Sequence, residues 1–319
     1  MTRQFGLGLA AALFAAITWG IQLPLAKDAF AIVDPFHITA MRYLAAALIL
    51  AAVLILREGW AALSYRGNAG NAIGLGVVGI CGSPMLVFLG MSLSRAEHAV
   101  VIVSLQPMIA ALAVWILRGR RPSVVTTLCT FAAFAGVLLV VTKGSFSLIE
   151  SPRQMLGDVI VFFGAACWVV YTLGIGRLAG WSVWRITVLT MLPGALATCA
   201  VTAVLVLAGV LSVPTPAAVV SVGWQLVYLT LVGVVIAMLA WNYGTRRVGP
   251  LNATLFVNCM PVVTFVYRAV QGYRFALIEI VGALLVVAAL IANNLWIRQE
   301  QLRMAKATQG AVTNRVKLD

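Results

Sequence analysis

Polar and aromatic side chains inside long apolar stretches are the residues of this sequence that could bind a small molecule. Gln22 lies three residues after Trp19, and Tyr171 lies three residues after Trp168, so each pair would share one face of a helix. Two such faces could bind a flat or amphipathic ligand, although helix–helix hydrogen bonding or an interfacial position would explain each residue equally well. We predict a substrate-binding set made of Trp19, Gln22, Ser83, His98, Ser104, Gln106, Trp168, Tyr171, Trp241, Asn242 and Asn258.

Prolines inside apolar stretches could act as hinges. Pro107 and Pro261 would each remove a backbone hydrogen bond in mid-helix and free a carbonyl one turn earlier. A kink that serves packing alone is the alternative, because proline is common in membrane helices. We predict gating or hinge roles for Pro84, Pro107 and Pro261.

Ionisable residues are scarce in the middle of the apolar stretches, where burial in lipid is costly and usually indicates function. No predicted span has a carboxylate at its centre, so we expect facilitated or gradient-driven exchange and not tight proton coupling. Arg42, by contrast, lies about two turns into the second apolar stretch. We expect its side chain to reach the membrane surface or to pair with Asp28 or Asp34, with a substrate carboxylate as the alternative partner.

The sequence predicts no catalytic residue, metal or cofactor. His98 follows Glu97, and His37 is the only other histidine, so we expect no metal site. The five cysteines lie singly in apolar segments and form no metal-ligand or disulfide pattern. GLGVVG at residues 74–79 matches a dinucleotide fingerprint, yet it lacks the preceding strand and the following acid that this mechanism requires.

The composition indicates a membrane protein. Of the 319 residues, 62% are hydrophobic and 10% are charged, whereas a soluble domain has about 25% charged residues. Continuous apolar runs suit helices, because every backbone amide in lipid must be paired within its own segment. We predict an all-α membrane protein with ten transmembrane helices. The ten segments are 5–26, 36–56, 70–93, 97–117, 124–142, 157–176, 184–211, 222–244, 250–270 and 275–297.

The distribution of positive charge predicts the orientation. The net charge is +13, but the basic residues flank the apolar segments and do not gather on one face, so we expect no nucleic-acid partner. With Arg42 set aside, 15 lysines and arginines fall on the side of the N-terminus and 6 on the opposite side. We therefore predict a multi-pass protein of a bacterial-type inner membrane with both termini in the cytoplasm. The polar tail 298–319 is expected to be a disordered cytoplasmic end.

An internal repeat is visible when the sequence is compared with itself. An offset of 154 residues aligns five residues of segments 3 and 4 with identical residues of segments 8 and 9, among them Gly90 with Gly244. An offset of 149 aligns Trp19 with Trp168. Five spans is an odd number, so the second copy would cross the membrane with the opposite orientation. We predict repeats at residues 1–146 and 155–297, a connection at 147–154 and the tail 298–319.

A family resemblance is carried by ITWGIQLPLAK, MRYLAAALIL and HAVVIVSLQPMIAALAVWILRG, with LAWNYGTRRVGPLNATLFVNCMPVVTFVYRAVQG as the counterpart in the second half. The chain resembles the drug/metabolite transporter superfamily, EamA type. The resemblance implies ten helices, with helices 1, 3, 4, 6, 8 and 9 around a central cavity, and export of amino acids, with the aromatic amino-acid exporter branch as one candidate. In the family, the pattern that follows the prolines of helices 4 and 9 usually ends in Gly-Glu, whereas here Gly119 precedes Arg120 and Gly272 precedes Tyr273. No role of that glutamate is therefore carried over.

These features together predict a secondary transporter that exports small metabolites, most of all aromatic or other neutral amino acids. It would work by alternating access through a central cavity between inverted repeats. An integral-membrane enzyme acting on lipid or isoprenoid substrates is the alternative, and it would need an acidic metal cluster or a catalytic His/Asp pair near the interface. The expected partners are a small-molecule substrate and the lipid bilayer, and a monomer is compatible with the sequence.

Overall fold

The computed structural model describes residues 3–119, 123–142, 151–249, 253, 256–257 and 259–316, and within these residues the regular structure is helical, without strands. Six helices are long and apolar enough to cross a membrane, a seventh such span is bent by 41°, and three further apolar helices are shorter. These ten correspond to the ten predicted segments, so the all-α membrane fold is confirmed. We number them α1 (Arg3–Ala29), α2 (Pro35–Glu58), α3 (Ala69–Leu93), α4 (Ala96–Val103 and Gln106–Arg118), α5 (Val124–Thr142), α6 (Pro152–Gly174), α7 (Val183–Leu207), α8 (Gly223–Val248), α9 (Cys259–Val270) and α10 (Leu277–Val316).

Local sequence signals explain where α2 begins and ends. The Asp34 carboxylate accepts hydrogen bonds from the backbone N–H groups of Phe36 and His37, at 3.0 and 3.1 Å, and Pro35 follows in the first helical turn. The helix ends at Glu58 and is followed by the C-cap residue Gly59, whose φ of 77° is a left-handed conformation that glycine adopts without strain. Asp34 is therefore used as a helix cap.

Two π-helical segments interrupt the α-helical pattern of α3 and α8, at Gly76–Gly82 and Tyr228–Ile236. A shift of 154 residues places the first segment within the second, so the irregularity recurs at equivalent places in the two halves. π-helical turns are rare and are frequent at functional sites. Both segments lie in helices that contribute to the central cavity described below.

Pro107 and Pro261, two of the three prolines predicted as hinges, lie at the beginnings of helices and not in their middles, contrary to the sequence expectation. The first part of α4 ends at Val103, Ser104 and Leu105 form the break, and Pro107 lies in the first turn of the second part. Pro261 is the third residue of α9. A proline is tolerated in a first turn because its missing N–H would have no intrahelical partner there. The bend in α4 therefore comes from the break, with proline next to it.

The polar tail is helical through Val316, whereas the sequence analysis expected it to be disordered. The segment from Gln299 to Ala307 is rich in Gln, Leu, Arg, Met, Ala and Lys, which are strong helix formers. The preceding apolar part of α10 supplies the first turns, so the tail extends an existing helix and needs no new nucleation. Low hydrophobicity was therefore a poor guide to the local conformation.

The most extensive helix packing joins helices of the first half with helices of the second: α1 with α8, α3 with α6, α2 with α7, and α5 with α10. Small residues allow the closest approaches. A Cβ atom on Gly90 would lie 2.4 Å from the carbonyl oxygen of Gly157, and one on Gly244 would lie 2.9 Å from the carbonyl oxygen of Gly8. Close backbone contact of this kind is typical of helix association in lipid.

Candidate functional site

A central cavity of about 80 Å³ lies where helices of the two halves meet. Its lining comes from α1, α3, α4, α6, α8 and α9, the helices expected from the resemblance, and also from α2, which was not expected. Six predicted residues contribute to this lining: Trp19, Gln22, Ser83, Pro84, Gln106 and Trp168. The lining is mostly apolar and aromatic with a few polar groups, as in small-molecule sites.

A tryptophan cluster forms one side of the cavity. The ring centroid of Trp19 lies 5.2 Å from that of Trp168, at an interplanar angle of 85°, and 5.2 Å from that of Trp241. The Trp19 indole donates a hydrogen bond of 2.9 Å to the carbonyl oxygen of Gly233, which fixes the ring. Trp168 also lies 5.1 Å from Tyr171. These edge and tilted contacts are favourable ring geometries and produce a rigid aromatic wall.

Tyr171 and Asn242 lie behind this wall and are not in the cavity lining. The Asn242 amide donates hydrogen bonds to the Thr187 hydroxyl, at 2.8 Å, and to the Tyr171 hydroxyl, at 3.2 Å. The hydroxyl of Thr190 lies 3.4 Å from that of Tyr171. All four side chains are buried, so the bonds satisfy groups that would otherwise be costly to bury. This network supports the cavity and leaves its hydrogen-bonding groups engaged with protein.

Ser104 and Trp241 also lie away from the lining. The Ser104 hydroxyl donates a hydrogen bond of 2.6 Å to the Val101 carbonyl within α4. Trp241 is fully buried in the aromatic cluster, and its indole nitrogen has no hydrogen-bond partner among the described residues. Asn258 lies outside the described residues.

His98 lies in a buried cluster outside the cavity lining. The Asp158 carboxylate accepts a hydrogen bond of 2.5 Å from the Ser94 hydroxyl and lies 3.2 Å from Nδ1 of His98. The other ring nitrogen of His98 is buried and has no hydrogen-bond partner within the described ranges. The sequence analysis did not anticipate this His/Asp pair, because its members are 60 residues apart and belong to different halves. The cluster ties the start of α4 to the start of α6.

The prediction that Arg42 reaches the surface or pairs with Asp28 or Asp34 is wrong. Asp34 caps α2 and lies 2.6 Å from the His37 ring, and Asp28 pairs with Arg268 on α9. The Arg42 side chain is 1% exposed and is part of the cavity lining, and its Nε and Nη1 atoms have no hydrogen-bond partner in the part of the chain that the structure describes. The sequence shows a charged residue inside an apolar segment. It does not show that the packing of α2 places this residue beside the cavity.

An ion-pair network connects four helices at the end of the bundle that contains the α1–α2 connection. Arg268 contacts Glu97 at 2.9 Å and Asp28 at 3.3 Å, while Arg95 contacts Glu97 at 3.5 Å and Glu279 at 3.1 Å. Glu97 and Glu279 are each 1% exposed. Separating a buried ion pair is costly because it leaves uncompensated buried charges, whereas separating an exposed pair costs little. The network therefore closes this end by joining the start of α4 to α1, α9 and α10.

The opposite end is held by arginines that bond to backbone carbonyls. Arg185 on α7 donates to the carbonyl of Ser64, and Arg246 on α8 donates to the carbonyl of Trp181. The Tyr65 ring lies 6.4 Å from the Trp181 ring in the same region. Contacts therefore cross between the halves at both ends of the cavity.

Comparisons with known proteins agree with this architecture. A sequence model of the EamA-like transporter family matches residues 6–142 and again residues 155–295. The uncharacterized transporter YrdR of Bacillus subtilis (strain 168) is 32% identical over 304 residues, which cover 94% of this chain and 95% of YrdR. The uncharacterized transporter YyaM of the same organism is 29% identical over 279 residues, covering 86% of this chain and 90% of YyaM.

A solved crystal structure has the same fold. It aligns with a TM-score of 0.67 at 21% sequence identity, and the alignment covers 92% of this chain and 98% of the other. At this level of identity the likeness concerns the fold alone.

Proposed function

The chain belongs to the EamA-like transporter family, and we propose that this membrane transporter exports small metabolites, most of all aromatic or other neutral amino acids. The mechanism would be alternating access, in which the central cavity opens to one side of the membrane and then to the other. No cofactor is needed for this activity, since movement of the substrate down its gradient supplies the driving force.

The observation that carries this proposal is the aromatic cavity between the two halves. Trp19 and Trp168, from equivalent helices of the two halves, meet there at 5.2 Å, with the glutamine side chains of Gln22 and Gln106 in the same lining. An aromatic wall with a few amide groups suits an amphipathic molecule that has an apolar side chain and a polar head.

The symmetry of the packing supports alternation. In the predicted repeat, α3 corresponds to α8 and α6 corresponds to α1, so the α3–α6 and α8–α1 contacts are equivalent pairs. The close contacts made by glycines have the same symmetry. Gly79 contacts Tyr171, and Gly233 contacts Gln22. In the predicted repeat, Gly233 is the equivalent of Gly79 and Gln22 is the equivalent of Tyr171. Two similar halves can exchange conformations, which converts a cavity open on one side into a cavity open on the other.

The size of the cavity implies movement of helices during transport. A volume of about 80 Å³ is well below the range of roughly 300–1,000 Å³ that is typical of small-molecule pockets. An amino acid therefore requires the helices around the cavity to separate. The ion-pair network at one end and the arginine–carbonyl bonds at the other are the contacts that must break in turn.

The location proposed for the chain is a bacterial-type inner membrane, with both termini in the cytoplasm. The basic residues on the side of the N-terminus outnumber those on the opposite side by 15 to 6. With this orientation, the network of Arg268 and Glu97 would face the exterior.

Transport by the purified full-length chain in liposomes tests the proposal. The vesicles are loaded with labelled phenylalanine, tryptophan, leucine or lysine, and efflux is measured with and without an imposed proton gradient. We expect efflux of at least one aromatic or neutral amino acid well above that from protein-free liposomes loaded in the same way, without a requirement for the proton gradient. Efflux of none of them would contradict the amino-acid assignment, and a strict proton requirement would contradict the proposed energetics.

A further inference from the structure

The side chain of Arg42 lines the central cavity and has no counter-charge among the described residues. It is 1% exposed, and its Nε and Nη1 atoms are buried with no hydrogen-bond partner within these residues. Arginine remains protonated in proteins, so this is a buried full charge. A charge removed from water without a partner is strongly unfavourable, and in a membrane it usually marks a functional site.

Two aromatic rings hold the guanidinium in place. Its central carbon lies 4.1 Å from the ring centroid of Phe88 and 4.7 Å from that of Tyr43. Phe88 is itself fixed by Phe30, at a centroid distance of 5.1 Å. Stacking engages the flat face of a guanidinium and leaves the N–H donors in its plane available for a planar carboxylate. Arg42 is therefore positioned for an acceptor that the described part of the chain does not supply.

The described carboxylates in this part of the bundle already have other partners. Asp28 pairs with Arg268, Asp34 lies beside His37, and Asp158 accepts from Ser94. Glu97 and Glu279 both belong to the ion-pair network. The missing acceptor for Arg42 would thus come from a ligand.

The same cavity also contains unmatched acceptors. Gln22 and Gln106 contribute to its lining, and the Oε1 atom of each is buried without a hydrogen-bond partner among the residues that the structure describes. A carbonyl-type oxygen accepts hydrogen bonds from an N–H group. Together with Arg42, these groups complement a molecule that has both a carboxylate and an amino group.

Resting on the proposed transport function, we propose that Arg42 binds the carboxylate of the transported metabolite. The substrates are then small carboxylates, most of all α-amino acids whose apolar side chain meets the tryptophan cluster and whose amino group meets Gln22 and Gln106. Amines and amides that lack the carboxylate are excluded, because they would leave the guanidinium unpaired and add a second positive charge.

The test compares substrates that differ only in the carboxylate. Liposomes that contain the full-length protein are loaded with labelled L-phenylalanine or L-leucine, or with the matching L-phenylalaninamide or L-leucinamide. We expect the wild type to prefer the acid by about tenfold or more, Arg42→Gln to lose this preference, and Arg42→Lys to keep part of it. Arg57→Gln is the matched control, since Arg57 lies on the same helix, is exposed and stacks on Trp184.

Thermal unfolding in detergent separates this role from a structural one and from the transport proposal. Without added substrate, Arg42→Gln should unfold at a higher temperature than the wild type, because a buried unpaired charge is removed. The amino acids should raise the melting temperature of the wild type more than their amides do, and this difference should vanish in Arg42→Gln. An acid preference that survives in Arg42→Gln, or equal effects of acid and amide on the wild type, would overturn the assignment of Arg42. Acid-specific stabilisation without any flux would support it and would count against transport.

Discussion

Trp168 illustrates how single side chains shape the cavity. It belongs to the lining and also contacts the rings of Trp19, Trp241 and Tyr171, so it combines a binding surface with a support for its neighbours. The equal spacing of Trp19–Gln22 and Trp168–Tyr171 led to this residue from the sequence. The spacing did not show that Tyr171 would instead form a hydrogen bond with Asn242, because that contact depends on how α6, α7 and α8 cross.

Trp168→Ala should lower amino-acid efflux about tenfold, which corresponds to a loss of about 1.4 kcal/mol of binding free energy. The removed ring is a face of the cavity. The measurement is initial efflux from liposomes at equal protein content. Trp224→Ala is the matched control, because Trp224 is 62% exposed on α8, and it should leave efflux unchanged. Equal efflux from both variants and the wild type would place the binding surface elsewhere.

Asp158→Ala should destabilise the protein by about 1–3 kcal/mol, because the buried Ser94 hydroxyl and His98 ring lose their shared partner. Asp28→Ala should cost only about 0–1 kcal/mol, since the Asp28 side chain is 40% exposed and its pair with Arg268 is partly solvated. The melting temperature of each variant in detergent measures the difference. Equal losses would show that the His98 cluster does not stabilise the α4–α6 contact.

At the scale of helices, small residues determine how closely the two halves approach. Gly90→Val should strongly destabilise the protein, by about 1–3 kcal/mol or more, because its Cβ would lie 2.4 Å from the Gly157 carbonyl oxygen. Gly70→Val, also on α3, meets open space and should have a much smaller effect. Thermal unfolding and the monodisperse fraction on size exclusion report the outcome. Similar behaviour of the two variants would mean that α3 and α6 can separate at little cost.

The ion-pair network gives α4 a role in closing one end of the cavity. Glu97→Gln removes the charge that Arg95 and Arg268 share, so this end should open more often. A variant with the native cysteines replaced and Ser83→Cys in the cavity lining would report the change through its rate of maleimide labelling. We expect labelling several times faster after Glu97→Gln. An unchanged rate would show that other contacts keep this end closed.

The sequence predicted where the helices lie but not where they are interrupted. A continuous apolar run reveals a span because the bilayer fixes its minimum length. The break at Ser104 and Leu105 and the π-helical segments left no such signal, because they depend on contacts with other helices. The extension of α10 to Val316 was missed for a different reason: polarity was used as the criterion where helix propensity decides.

At the scale of the whole molecule, the identities that repeat at offsets of 154 and 149 predicted two related halves, and the observed helix pairs have the symmetry that such halves would give. Arg42 resisted prediction at this scale. Its position two turns into α2 was plain, but whether it meets lipid headgroups, a carboxylate or a cavity depends on the packing of the complete bundle.

Opposite orientation of the halves can be measured at equivalent loops. Ser64 follows α2, Ser212 follows α7, and both are exposed. In a background without the native cysteines, a membrane-impermeant maleimide added to intact cells should label Ser212→Cys and not Ser64→Cys. Labelling of Ser64→Cys before and after cell lysis provides the control for reactivity. Labelling of both positions from outside would contradict the inverted repeat.

The buried guanidinium of Arg42 has a consequence for the order of events in a transport cycle. Closing the cavity around a bare charge strips it of hydration, whereas closing it around an ion pair does not. The return of the unloaded carrier should therefore be its slowest step. Amino acid supplied on the receiving side should speed release from the other, so that swapping one molecule for another outpaces net discharge.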